Sequence, residues 1–228
     1  MLLGVGGKMG PTLARMAKRA SELAGRPRRI LGVSRFSDDR LRERLHQWGV
    51  ETLVCDLLDP AAVQQLPHVP HVIYMSGMKF GASREPDQAW AMNCYAPALV
   101  CQKFRHSRLV AFSSGNVYGL VPAGSTGSRE TDPLEPIGEY SVTVLGRERM
   151  FHYFSRTLGI PTALLRLNYA TEMRYGVLVD IARQVFEGQP VDLSIPVVNV
   201  IWQGEANAMA LAALAHTAVP PRVINLAG

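Results

Sequence analysis

Cysteine is scarce. The chain has three, Cys55, Cys94 and Cys101, with no Cys-x-x-Cys pair and no histidine at ligand spacing beside them. That pattern excludes a disulfide framework and a zinc ribbon. Each cysteine lies in an apolar stretch, where it behaves as a small buried hydrophobe, and a reduced, cytoplasmic setting is expected. The six histidines are scattered, so no metal site is expected. No apolar run approaches the roughly 20 residues of a membrane span. No charged segment followed by a long apolar stretch opens the sequence, so neither a membrane partner nor a signal peptide is expected. Low-complexity runs, repeats of fixed period and interdomain linkers are lacking too. The net charge is +5, yet the basic residues are dispersed. Lys18, Arg19, Arg26, Arg28 and Arg29 form the only local concentration, where a helix gives way to a loop. They read as a solvated surface, not a nucleic-acid contact.

What is present is an alternation of short apolar runs with helix-period segments, the pattern of βα units and a parallel sheet. Strands are predicted at Leu2-Leu3, 30–33, 52–55, 71–75, 109–113, 163–167, near Val191, and at 223–226. Pro11 opens the first helix, where a missing N–H costs nothing. Leu13, Met16, Ala20 and Leu23 share one face of it, and Gly25 closes it. A second, charged helix turns Leu41, Leu45 and Trp48 inward. Asp59 and Pro60 read as an N-cap followed by proline at the first helical position. Further helices are predicted over 87–104, 138–158, 177–187 and 203–217.

Between the first strand and first helix stands Gly4-Val5-Gly6-Gly7-Lys8-Met9-Gly10. Glycines at positions 4, 7 and 10, after a strand and before an amphipathic helix, suit a dinucleotide pyrophosphate. The turn needs backbone angles open to glycine, the phosphates must approach main-chain N–H groups without a Cβ between, and the helix N-terminus adds unpaired donors. Gly4, Gly7, Lys8, Met9 and Gly10 are therefore candidate cofactor-binding residues. An NAD site usually carries an acidic residue at the end of the second strand for the ribose 2′-OH. Here the stretch is Val33-Ser34-Arg35, with acids delayed to Asp38 and Asp39. A hydroxyl and a guanidinium suit a 2′-phosphate, so NADP is favoured over NAD.

These residues resemble an extended short-chain dehydrogenase/reductase of the NAD(P)-dependent epimerase/dehydratase family, and the resemblance runs over nearly the whole chain. The glycine turn matches the family's. Cys55-Asp56-Leu57-Leu58-Asp59 resembles the segment whose first Asp contacts adenine, which makes Asp56 and Leu57 candidates. Tyr74-Met75-Ser76-Gly77 sits where the family has a small-residue turn under the cofactor, and Asn93 matches an Asn in the long central helix. Ser113-Ser114-Gly115-Asn116-Val117-Tyr118-Gly119 closely resembles the Ser-Ser-x-x-Val-Tyr-Gly signature. Glu130-Thr131-Asp132-Pro133 and Pro136 precede Tyr140 as in family members.

The resemblance implies hydride transfer coupled to proton transfer on a sugar or nucleotide-sugar-like substrate. Ser114 would orient the substrate oxygen and Tyr140 would act as acid/base. The family's Tyr-x-x-x-Lys motif is incomplete, because Tyr140-Ser141-Val142-Thr143-Val144 places valine at the lysine position. An ordinary tyrosine titrates near pH 10, and valine offers no charge to favour the phenolate. Arg147 lies on the same side but about 10 Å further along the helix axis, and Lys79 could reach in from the loop after the fourth strand. In Arg166-Leu167-Asn168-Tyr169, Asn168 or Tyr169 would stand by the nicotinamide. Around Asn199 to Glu205 only Glu205 is acidic, and Trp202 reads as packing against the core.

Two readings remain open: an epimerase, dehydratase or reductase, and a non-catalytic cofactor-binding sensor or scaffold. The expected architecture is α/β, a Rossmann-like doubly wound parallel sheet with a small, shortened C-terminal substrate lobe. Residues 1–168 would form the dinucleotide-binding domain and 169–228 a partial lobe interleaved with the last strand. A homodimer through the helices at 87–104 and 138–158 is implied by the resemblance alone.

Overall fold

The computed structural model describes residues 1–228. Leu2–Leu3 (β1) leads into helix α1, Gly10–Leu23; then come β2 (Leu31–Ser34), α2 (Asp39–Gln47), β3 (Glu51–Val54), α3 (Pro60–Gln65) and β4 (His71–Tyr74). Helix α4 (Pro86–Trp90) passes through a π-helical segment, Ala91–Tyr95, into α5 (Ala96–Lys103). Strand β5 (Arg108–Ser114), helix α6 (Gly138–Leu158) and strand β6 (Thr162–Leu167) follow. The remainder is β7 (Tyr169–Thr171), α7 (Val177–Phe186), β8 (Val200–Trp202), α8 (Gln203–Ala212) and β9 (Arg222–Leu226).

Seven strands form one sheet in the order β3-β2-β1-β4-β5-β6-β9, parallel at every pairing. The order reverses direction at β1, so a crevice opens at the carboxyl ends of β1 and β4, where open α/β sheets bind ligands. Alternate residues of each strand feed opposite cores. Leu3, Val33, Val72, Tyr74, Leu109, Ala111 and Leu164 pack on one face with Val100, Phe104 and Phe151. Leu2, Ile73, Val110, Phe112, Ala163 and Leu165 pack on the other with Leu13, Leu45, Ala206 and Ala210. Both faces of the sheet are buried, which is why the strands read as continuous apolar runs.

The local signals operate as their chemistry requires. The Asp59 carboxylate caps α3 by accepting from the Ala61 and Ala62 amides at 2.8 and 3.2 Å. Asp38 does the same for α2, accepting from the Arg40 amide at 2.9 Å. Gly159, left-handed at φ +68°, ends α6.

The structure corrects four expectations. No strand forms near Val191; a separate two-stranded parallel sheet joins Tyr169–Thr171 to Val200–Trp202 instead. The helix expected over 87–104 is interrupted by the π-helical segment. The helix expected to reach Thr217 ends at Ala212 and tightens into a 3₁₀ turn, Ala213–His216. Trp202 is half-exposed at the end of β8, not part of the core. Beyond Leu167 the chain divides: β7, α7 and β8 lie outside the main sheet, whereas β9 rejoins it beside β6. Helix α8 packs on α1, and its Gln203 and Asn207 amides donate to the Thr12 hydroxyl at 2.6 and 3.1 Å. No helix is long and apolar enough to cross a membrane.

Candidate active site

A cleft of about 240 Å³ opens at the carboxyl edge of the sheet. Its walls come from the glycine turn (Gly4, Gly7, Lys8, Met9), the end of β4 (Met75, Ser76, Gly77, Lys79) and the end of β5 (Phe112, Ser113). Tyr140 and Arg147 of α6 and Leu167 of β6 complete it. Three of these residues are cationic, Lys8, Lys79 and Arg147, and none is acidic.

The three glycines of the turn do different work. Gly4 has φ +89°, and a Cβ there would stand 2.7 Å from the Ser76 nitrogen. A Cβ on Gly10 would stand 2.6 Å from the Val5 carbonyl carbon, so this glycine lets α1 pack on the turn. Gly7 differs. Its nearest neighbour would be the Gly4 carbonyl oxygen at 3.6 Å, an ordinary contact, and φ is not positive. The fold itself does not need glycine at position 7. Lys8 and Met9 line the cleft, and their amides donate to no carbonyl of the chain. Free amides, a bare approach at Gly7, a helix N-terminus and three cations without a carboxylate fit a dinucleotide diphosphate.

Tyr140, half-buried in the first turn of α6, faces this cleft. The Lys79 ammonium stands 5.5 Å from the centre of its ring and 5.2 Å from that of Tyr169. Burial first, and then the charge of Lys8, pushes the Lys79 pKa down. As a whole residue Lys79 is exposed, with its ammonium beside the two rings. Lys8 in turn lies 4.9 Å from the Tyr175 ring centre and 5.7 Å from that of Phe80. The Tyr175 hydroxyl donates to Gln203, and burial holds its pKa up at about 12.

Beneath the cleft lies a polar layer. Asn93 is wholly buried. Its Oδ1 accepts from the Met78 amide at 3.0 Å, and its Nδ2 donates to the Met78 carbonyl at 3.0 Å and to Thr143 Oγ1 at 2.9 Å. The Arg147 guanidinium donates to the same Asn93 Oδ1 and to the Phe112 carbonyl at 3.0 Å. Its Nε is buried without a partner. Gly77 makes room for it, since a Cβ there would run into the guanidinium.

Of the residues singled out from sequence, Gly4, Gly7, Lys8, Met9, Met75, Ser76, Gly77 and Tyr140 converge on the cleft. Lys79 and Arg147, weighed as alternative cations, line it too; the remaining candidates do not. Gly10 sits beneath the turn. Ser34 stands beside Gly6, where its Oγ would be 2.5 Å from an added Cβ, and Arg35 is exposed at the same strand end. Asp56 accepts from the Leu58 amide at 3.0 Å in a local turn after β3, with Leu57 buried beside it. Asn93 lies under the cleft. The Ser114 hydroxyl donates to Asn116 Oδ1 at 3.1 Å and accepts from the Asn116 amide at 3.2 Å, so it is engaged within its own turn. Asn168 donates to the Leu226 carbonyl at 3.3 Å. Val144 is fully buried.

Sequence reasoning missed Ser113, Phe112 and Leu167 as lining residues, and judged Arg147 too far along the helix. The guanidinium reaches because its side chain runs from α6 under the β4 turn, a path the axial distance does not describe. No signal in the sequence alone distinguishes Ser113 from Ser114 on this point.

Solved structures with the same fold include UDP-glucuronic acid 4-epimerase from Bacillus cereus in complex with NAD, 16% identical with a TM-score of 0.75, covering 100% of this chain and 77% of that one. dTDP-glucose 4,6-dehydratase from Streptomyces venezuelae with NAD and TYD bound is 16% identical, with a TM-score of 0.79 over 100% of this chain and 75% of that one. UDP-glucose 4-epimerase from Thermus thermophilus, in complex with NAD, is 19% identical, with a TM-score of 0.79 over 99% of this chain and 76% of that one. The chain thus spans about three quarters of these structures. No curated protein sequence matches it. The family model for the NAD dependent epimerase/dehydratase family matches residues 1–193, well over half of the chain, and the protein belongs to that family.

Proposed function

We propose that the protein is an NAD(P)-dependent epimerase, dehydratase or reductase acting on a sugar or nucleotide-sugar-like substrate, with NADP preferred over NAD. The observation that carries this reading is the meeting of the open Gly7 turn and Tyr140 across one cation-lined cleft. NADP is preferred because Ser34 and Arg35, with no carboxylate among them, end β2, while Asp38 is committed to capping α2. Asp56 and Leu57 would hold the adenine end. Met75, Ser76 and Gly77 would pass under the cofactor, and Asn93 and Asn168 would support the nicotinamide end.

A bound nicotinamide dinucleotide supplies the hydride donor or acceptor. In the reductive direction Tyr140 gives its phenolic proton to the substrate oxygen as hydride arrives at carbon; in the oxidative direction it takes the hydroxyl proton as hydride leaves. Ser114 would orient the substrate oxygen by turning its O–H from Asn116 toward the substrate. Residues 1–168 form the dinucleotide-binding unit in this scheme and 169–228 the substrate lobe, with α8 and β9 packed on the first. The three free cysteines suit the cytoplasm. The partly exposed Trp90, Tyr95, Val142 and Tyr153 suit a homodimer through α4, α5 and α6.

The test is a fluorescence titration with NADPH and NADH beside Gly7→Val, followed by a turnover screen across sugar nucleotides beside Tyr140→Phe. Tight binding lost in the glycine variant and turnover lost in the tyrosine variant are expected. Equal binding by parent and Gly7→Val refutes the dinucleotide site. Binding without turnover on any substrate favours the second reading, a cofactor-binding sensor or scaffold, for which the buried Val144 speaks.

A further inference from the structure

The cleft contains an ammonium with no protein acceptor. Lys79 makes no ion pair and no hydrogen bond within the chain, although its Nζ is held between the rings of Tyr140 and Tyr169 at 5.5 and 5.2 Å. No Asp or Glu lines the cleft to neutralise it. Two aromatic faces attract a cation, but they accept none of its three N–H bonds as a carboxylate or hydroxyl would.

Its position is built from below. Asn93 takes the Met78 amide and gives to the Met78 carbonyl, both at 3.0 Å, and so fixes the backbone immediately before Lys79. The same buried Asn93 is anchored to Thr143, one turn on from Tyr140 in α6. The loop that carries the ammonium and the helix that carries the phenol are therefore joined by one side chain.

No other cation is free to serve at Tyr140. Val144, one turn along α6, is apolar and fully buried. Two of the Arg147 guanidinium nitrogens are committed to Asn93 Oδ1 and the Phe112 carbonyl in the floor. Lys8 belongs to the glycine turn and lies between Phe80 and Tyr175.

We infer that Lys79 is the cationic residue of the reacting centre, donating its N–H bonds to the oxygen atoms of the ligand that lies against Tyr140, and that Asn93 is its positioning residue. The inference rests on the dinucleotide-dependent reading above and names a site residue that the β4 loop, not α6, supplies. The lowered pKa of Lys79 agrees with an ammonium short of water and of counter-charge. A ligand oxygen in the cleft relieves both.

The experiment uses the full chain and four variants: Lys79→Met, Lys79→Arg, Tyr140→Phe and the double variant Lys79→Met/Val144→Lys. NADPH and NADH affinity is read by fluorescence titration, and kcat and KM are read on any substrate found in the screen. Losing hydrogen bonds from a charged donor weakens binding about 10- to 100-fold. Lys79→Met is expected to lose that much in dinucleotide affinity or in kcat while remaining fully folded, because the residue is exposed. Lys79→Arg is expected to recover most of the loss, and an ammonium returned from α6 at position 144 to recover part of it. If the double variant does not fold, Lys79→Arg alone carries the rescue. Parent-like affinity and turnover in Lys79→Met, with binding still abolished by Gly7→Val, overturns this inference and leaves the dinucleotide reading standing. Absence of binding by the parent itself overturns both.

Discussion

Glu148 and Arg166 meet through two parallel hydrogen bonds, Nε to Oε1 at 3.0 Å and Nη2 to Oε2 at 2.9 Å, in the protein interior. Glu148 is 1% exposed and Arg166 3%. Both groups have further partners. Ser113 Oγ donates to Glu148 at 2.5 Å, and Arg166 Nη1 donates to the Tyr118 hydroxyl at 2.6 Å and to the Glu130 carbonyl at 3.2 Å. The Tyr118 hydroxyl continues to Asn225 at 2.8 Å. One ion pair thus ties β5, α6, β6 and β9 together just below the strand ends that carry the candidate site.

The first prediction concerns that pair. Glu148→Ala leaves a buried guanidinium without its counter-charge and is expected to cost about 3–5 kcal/mol of stability. Replacing both partners, as in Glu148→Leu/Arg166→Met, is expected to return much of that loss, because neither charge is then buried alone. Urea unfolding of Glu148→Leu, Arg166→Met and the double variant measures the coupling. Additive losses in the double variant would contradict the account.

Gly7 and Gly10 are expected to separate binding from folding. An alanine Cβ at Gly10 meets Val5 backbone at 2.6 Å, and backbone cannot step aside as a flexible side chain can. Gly10→Ala should therefore lower the melting temperature. Gly7→Ala meets nothing closer than 3.6 Å, so its melting temperature should match the parent's while NADPH affinity falls. A stability loss at Gly7 equal to that at Gly10 would show that both glycines serve the fold alone.

Thiol chemistry supplies a third test. Burial pushes the Cys101 thiol far up, and burial is also the first cause of the raised Cys55 and Cys94 pKa values. Since the thiolate is the nucleophile, native protein at pH 8 should react slowly with iodoacetamide at all three sites, Cys101 slowest. Unfolding in urea should make all three react at comparable rates. Mass spectrometry of timed samples reads the order, and rapid native labelling of Cys101 would contradict its burial.

The sheet and the glycine turn were legible because each depends on neighbours in sequence. A strand buried on both faces is an apolar run, and a strand-to-helix turn that receives a ligand spaces its glycines within seven residues. The small β7–β8 sheet was not legible. Its strands are three residues long, mix exposed and buried positions, and exist only through each other. The expected strand at Val191 had no such partner. Asn93 was legible as a site residue by resemblance, yet only the fold shows it under the cleft, gripping Met78. Lys79 was named from sequence as a cation that could reach in from the loop after the fourth strand. What places it is the convergence of the β4 loop, β7 and α6, which no local pattern encodes.

The last prediction follows the sign of the Lys79 shift. Its pKa is lowered in the folded protein by burial and then by Lys8, while in the unfolded chain it sits near the ordinary lysine value of about 10.4. Below the folded value both states hold the proton, and the fold bears the full cost of a poorly solvated ammonium near a like charge. Between the two values the unfolded chain binds more protons, so the Lys79 contribution to stability rises with pH through this window. Above about 10.4 both states are neutral and the cost is gone. Lys79→Met removes the group, so it should be more stable than the parent at pH 7, and the difference should shrink as pH approaches 10.4. Binding of an anionic ligand should work in the opposite sense, favouring the ammonium and weakening as pH rises through the window. Paired urea titrations of parent and variant at pH 7 and pH 10.4 isolate this one group from every other titration. A parent that outlasts Lys79→Met at pH 7 without ligand would mean that the ammonium already has its partner within the chain.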